Sequence, residues 1–145
     1  MKKLLLLLTL TLSLSASLPY TLENLKDLRI YVINKSDFID KTHEADLVLA
    51  VTKKLIKAGF SIDTVDSPTF LLSIESTKIG TTYVINTSIA VGEEVITKRS
   101  EAVQTLAFTY HANDFMESKE PLADTVESVH FLLDNFLEAH SNDQE

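Results

Sequence analysis

Between Thr69 and Tyr110, three strand-like runs follow one another with only short turns between them. Thr69–Thr77 is closed by Lys78-Ile79-Gly80. Thr81–Val91 then alternates Tyr83, Ile85, Thr87 and Ile89 with Thr82, Val84, Asn86, Ser88 and Ala90, and Gly92-Glu93-Glu94 offers the next turn. Val95–Tyr110 completes the block. Turns this short join antiparallel neighbours, whereas a parallel return needs a crossover of about a dozen residues or more. The middle of the chain is therefore committed to an antiparallel meander. The last run is long for one strand, and its polar middle, Lys98 to Glu101, marks a bulge, a bend or a stretch reaching past the sheet.

The flanking segments supply helices and two more strands. Leu28–Asn34 is β-branched and aromatic, with apolar residues on both faces, which predicts a central strand. After the polar Lys35–Lys41, Thr42 can cap a helix, with Glu44 and Asp46 in its first turn. Ala45, Val48, Val51, Thr52, Leu55 and Ile56 form its predicted apolar stripe, and Gly59 suits a left-handed stop. Phe60–Val65 alternates as a short strand until Asp66-Ser67-Pro68 breaks it. Asn113–Glu120 is a polar connection, and Pro121 suits a first helical position. Leu122, Val126, Val129, Leu133, Phe136 and Leu137 then make a stripe reaching His140, widened by Thr125 and Leu132. Ser141–Glu145 is a polar tail expected to fray. The predicted order is β-α-β-β-β-β-α. It implies an α+β two-layer sandwich, a mostly antiparallel sheet of about five strands with two helices on one face.

The amino terminus has its own pattern. Lys2 and Lys3 precede an apolar stretch, Leu4 to Leu14, and Ser15-Ala16-Ser17 places small residues where a signal peptidase reads them. Residues 1–17 thus form an expected signal peptide, and residues 18–145 a single α+β domain. The apolar stretch is well short of the roughly 18–20 residues of a spanning helix, the feature that separates cleavage from retention as an anchor. The chain has no Cys, so an exported domain would rest on its core alone and could carry no lipid on a cysteine. The expected location is the periplasm. Net charge is −8 and becomes two units more negative without Lys2 and Lys3. Such a domain repels nucleic acid and anionic lipid. The small basic group Lys53, Lys54 and Lys57 reads as a solvated helix face.

No pattern here carries nucleophilic or cofactor chemistry. There is no Cys and no G-x-S-x-G elbow, and the three glycines, Gly59, Gly80 and Gly92, sit at an expected helix end and two expected turns. The four histidines, His43, His111, His130 and His140, have no tight ligand spacing. His111 and Asp114, three apart in an expected loop, are the one pair that could share a metal; solvated loop residues are the plainer reading. His130 is expected half-buried at the border of the second helix's stripe, and His140 near that helix's carboxyl end. Glu93-Glu94 is a turn pair rather than a facing carboxylate pair. Asn34-Lys35-Ser36 and Asn86-Thr87-Ser88 match the glycosylation triplet, which matters only in a eukaryotic secretory route. Tyr31, Tyr83, Phe108 and Tyr110 either fill the core or line an exposed sheet face used for docking. No catalytic, cofactor or metal residues are assigned, and no cofactor is expected.

Four stretches, LRIYVINKS (Leu28–Ser36), the helix ending Ala58-Gly59-Phe60, SPTFLLS (Ser67–Ser73) and TYVINTSIA (Thr82–Ala90), stand out as a pattern. Together they resemble the small periplasmic domains of bacterial envelope-assembly proteins, of the TolB amino-terminal and CsgG or LpoB type. The chain departs from that pattern in lacking a helix between its second and third strands and a lipid-bearing Cys. The resemblance implies a non-catalytic part that binds other envelope proteins. From the signal, the strand-rich middle and the lack of a catalytic constellation, the expected function is a non-enzymatic exported protein that binds an envelope partner through a sheet face or edge strand. A small apolar-ligand carrier and a hydrolase with a scattered Asp/Glu/His site are the alternatives.

Overall fold

A computed structural model describes residues 21–144, so the signal peptide expected at residues 1–17 lies outside the described residues. The elements are β1 (Asp27–Lys35), α1 (Lys41–Lys57), β2 (Ser61–Ile62), β3 (Thr69–Ile79), β4 (Thr82–Ile96), β5 (Gln104–Ser118) and α2 (Pro121–Asn142). This is the α+β order expected from the sequence. The five strands make one sheet in the order β2-β1-β3-β4-β5. β1 lies between β2 and β3 and is parallel to both. The longer β3–β4 and β4–β5 ladders are antiparallel and carry most of the pairing. β1–α1–β2 is a parallel crossover unit joined to an antiparallel meander.

Both helices lie on one face. Leu28, Phe70, Leu72, Ile74, Ile85, Ile89 and Val91 point from the strands toward Leu47, Val51 and Leu55 of α1 and Val129, Leu132, Leu133 and Phe136 of α2, and these side chains form one buried core. At the centre of one end, the Phe136 ring meets Phe70 and Tyr110 edge-on, each at 5.2 Å between centroids, in the geometry that the ring quadrupole favours.

Several boundaries differ from expectation, each for a local reason. α1 is capped by Asp40, not Thr42: the Asp40 carboxylate accepts from the Thr42 and His43 amides at 2.9 Å each. Its buried stripe is Leu47, Val51 and Leu55, rotated from the expected one, so that Ala45 and Ile56 face solvent. β2 ends at Ile62 because Asp63 turns the chain at φ 62°.

The largest difference is in the meander. β4 does not turn at Gly92 but runs on to Ile96, with a bulge between Val91 and Gly92. The reversal instead uses the polar stretch Lys98–Glu101, closed by the Thr97 amide donating to the Val103 carbonyl at 3.0 Å. The run expected as one strand, Val95–Tyr110, is thus the end of β4, a turn and the start of β5. β5 then continues through the expected connection Asn113–Glu120 as far as Ser118.

The chain closes at its two ends. Leu22 and Leu25 are buried in the core. The Leu22 amide donates to the Asp143 carboxylate at 2.7 Å, and the Gln144 amide nitrogen donates to the Leu22 carbonyl at 3.0 Å. His140 Nε2 lies 2.8 Å from the Leu25 carbonyl, and its ring packs against Phe60 at 4.6 Å. Residues beyond Ser141, expected as tail, are engaged as far as Gln144.

Candidate functional site

Strand alternation decides which side chains face away from the helices. The register sets them in rows: Arg29, Thr69, Gly92 and Phe108; then Tyr31, Leu71, Ala90 and His111; then Ile33, Ser73, Ser88 and Asn113; then Lys35, Glu75, Asn86 and Phe115. No described helix covers this face. Three aromatic side chains stand well out of it, Tyr31 at 59%, Phe108 at 53% and Phe115 at 67% exposure, together with Leu106 at 64%. Large apolar groups held this far into water cost hydration free energy that a covering surface would recover.

Gly92 explains part of the relief. Its missing side chain leaves room over which Phe108 and Leu106 lean, both within 3.8 Å of where a Cβ would stand. Ala90, in the next row, is nearly inaccessible although it points outward. On the same face, Lys35 of β1 and Glu75 of β3 pair at 2.6 Å.

The sheet's two edges are unlike. β2 offers only Ser61 and Ile62. β5 is long, and among the described residues no strand pairs with its far side. Past the bulge, His111–Ser118 runs in regular register with β4. Its inward side chains tie it to α2: Ser128 Oγ donates to Asp114 at 2.8 Å, and Ser118 Oγ donates to Asp124.

The expected site residues are scattered by this arrangement. His111 and Asp114 belong to β5, not a loop, and an odd separation in a strand sends them to opposite faces, so they do not share a metal. No cluster of three or more potential ligands forms among the described residues. His130 is exposed rather than half-buried; with His43 it borders a surface groove of about 300 Å³ between the helices, floored by Leu47, Ala50, Leu122 and Val126. Glu93 and Glu94 lie in β4 and project apart. Glu93 accepts from Thr109 at 3.1 Å, while Glu94 accepts from Gln104. Lys54 is spent on Asp134 of α2 at 2.6 Å, leaving Lys53 and Lys57 as solvated cations.

Asn34, of one glycosylation triplet, is committed to the turn: its amide donates to the Ile39 carbonyl at 2.9 Å and to Glu44 at 3.1 Å. The four expected aromatics divide evenly. Tyr31 and Phe108 stand on the bare face. Tyr83 packs on Phe38 at 5.2 Å, and Tyr110 is buried on the helix side, where burial pushes its phenol above the usual value. Phe115 was hidden in a stretch that reads as polar connection; the only local signal for it is the weak alternation of His111, Asn113 and Phe115 against Ala112, Asp114 and Met116.

A second cleft, of about 340 Å³, opens where β3 begins, between Arg29, Asp66, Pro68, Glu93 and Leu106. Its charges are of mixed sign, and Arg29 leans on the Thr69 hydroxyl at 3.3 Å. No described helix is long and apolar enough to cross a membrane. No protein-family model and no curated protein matches the chain.

Proposed function

We propose that this protein is exported and, without chemistry of its own, docks onto a protein of the cell envelope through the bare face of its sheet and the open edge of β5. The observation that carries this reading is the one-sided helix layer, which leaves Tyr31, Phe108 and Phe115 on an uncovered face beside a long unpaired strand. Aromatic side chains in that setting are typical anchors at protein interfaces. An edge strand offers main-chain donors and acceptors ready for a partner. The leader at residues 1–17 supports the compartment, and cleavage after Ser17 would precede the Leu22 and Leu25 contacts that close the domain. The resemblance to TolB amino-terminal, CsgG and LpoB-type domains points the same way.

Site-specific photo-crosslinking in cells tests the reading. A photoreactive residue replacing Phe115 or Tyr31 is expected to capture one envelope protein, and the same residue at Lys53, on the solvent side of α1, is expected to capture none. No adduct from either sheet position, with the protein recovered free, would overturn it.

A further inference from the structure

We propose that the partner docks as an extended segment in which apolar residues alternate with lysine or arginine, added as a sixth strand along β5. This rests on the docking reading and specifies the chemistry of what docks. A strand laid on β5 takes its affinity from main-chain hydrogen bonds along His111–Ser118 and its specificity from alternate side chains, which fall on the sheet's two faces in turn.

One set would land on the bare face, next to Phe115, where apolar side chains bury exposed ring surface. The other set would land on the helix side, along the flank of α2. That flank is fixed against β5 by the Asp124–Ser118 and Ser128–Asp114 hydrogen bonds. Helical spacing sets Glu127 beside Asp124 and Phe131, and Phe131 is itself exposed.

The charge of this side is almost wholly negative. β5 and α2 contain no Lys or Arg, and Lys119 is the single cation between Gln104 and Asn142. Against it stand Glu120, Asp124 and Glu127 at the start of α2, while Glu117 follows Phe115 on the bare face. Sheet edges that must stay unpaired commonly carry lysine, which a neighbouring strand cannot approach without burying its charge. This edge has none, and its acidic flank would hold an incoming cation. The same charges disfavour a second copy of this chain, whose β5 carries no Lys or Arg to meet them.

Three short synthetic peptides test the proposal on the purified protein: alternating Val and Lys, alternating Val and Glu, and a scrambled Val/Lys sequence of the same composition. The alternating Val/Lys peptide is expected to bind at least about tenfold more tightly than either of the others and to weaken as salt is added. Hydrogen exchange should slow at the amides of His111–Ser118. The variant Glu127→Lys changes one exposed side chain and should keep the melting profile. It should abolish that preference.

Equal binding of the Lys and Glu peptides, equal binding of the scrambled peptide, no binding at all, or protection mapping away from β5 would each overturn the proposal. So would a dimer in sedimentation with β5 protected. Crosslinking from Phe115 is read separately from the peptides, so a docking protein whose partner is not a basic strand would be recognised as such.

Discussion

Thr87 is fully buried on the helix side of β4, yet its hydroxyl has no hydrogen-bond partner among the described residues. A buried hydroxyl without a partner loses its hydration and gains nothing in return. Thr87→Val, which swaps the hydroxyl for a methyl of similar size, is expected to stabilise the protein by about 1 kcal/mol in urea unfolding. Two glycines separate conformational need from steric need. Gly59 ends α1 at φ 99°, a region that costs a side-chain-bearing residue, so Gly59→Ala should destabilise by about 1–2 kcal/mol. Gly92 has ordinary strand backbone, and an added Cβ would meet Phe108 and Leu106 at normal contact distance. Gly92→Ala should therefore be neutral or gain roughly 0.5 kcal/mol, and in thermal melts only Gly59→Ala should fall below the unsubstituted protein.

At the scale of the element, α1 depends on its cap. Asp40 takes the Thr42 and His43 amides, and its carboxyl is held below the ordinary value, first by the His43 backbone hydrogen bond, with the His43 side chain 2.8 Å away adding to it. A carboxyl lowered in the folded state stabilises it above the unfolded value, and that contribution disappears as pH falls through the lowered one. Asp40→Ala is expected to lower the melting temperature at neutral pH. Asp40→Asn should keep much of the cap while flattening the acid limb of a melting-temperature series across the carboxylate range. β5 is the opposite case, an element whose polarity is satisfied from a distance: Asp114 can point inward because Ser128 of α2 donates to it.

Over the whole molecule, the lead-in and the end of α2 hold each other. Leu22 and Leu25 are buried, and Asp143, Gln144 and His140 sit on their backbone. A chain starting at Asp27 would forgo both leucines, a loss of about 3–6 kcal/mol. That is a large share of a typical domain's stability. Its urea midpoint should drop sharply against a chain starting at Leu18.

The kinds and order of the elements were legible from local signals: the period of apolar residues, Pro121 opening α2, Gly59 closing α1 and the turn at Gly80. Periodicity and turn chemistry act within a few residues, so they survive without the rest of the chain. The tertiary structure alone decided where β4 reverses, because Gly92 is held in the strand by pairing with Thr69 and Phe108, residues far from it in sequence. It also decided that β5 runs through Asn113 and Asp114, whose polarity reads as a loop until Ser128 is brought alongside. The bare face and the open edge follow from which strands pair and where both helices pack, and that is a balance of contacts between residues far apart in sequence.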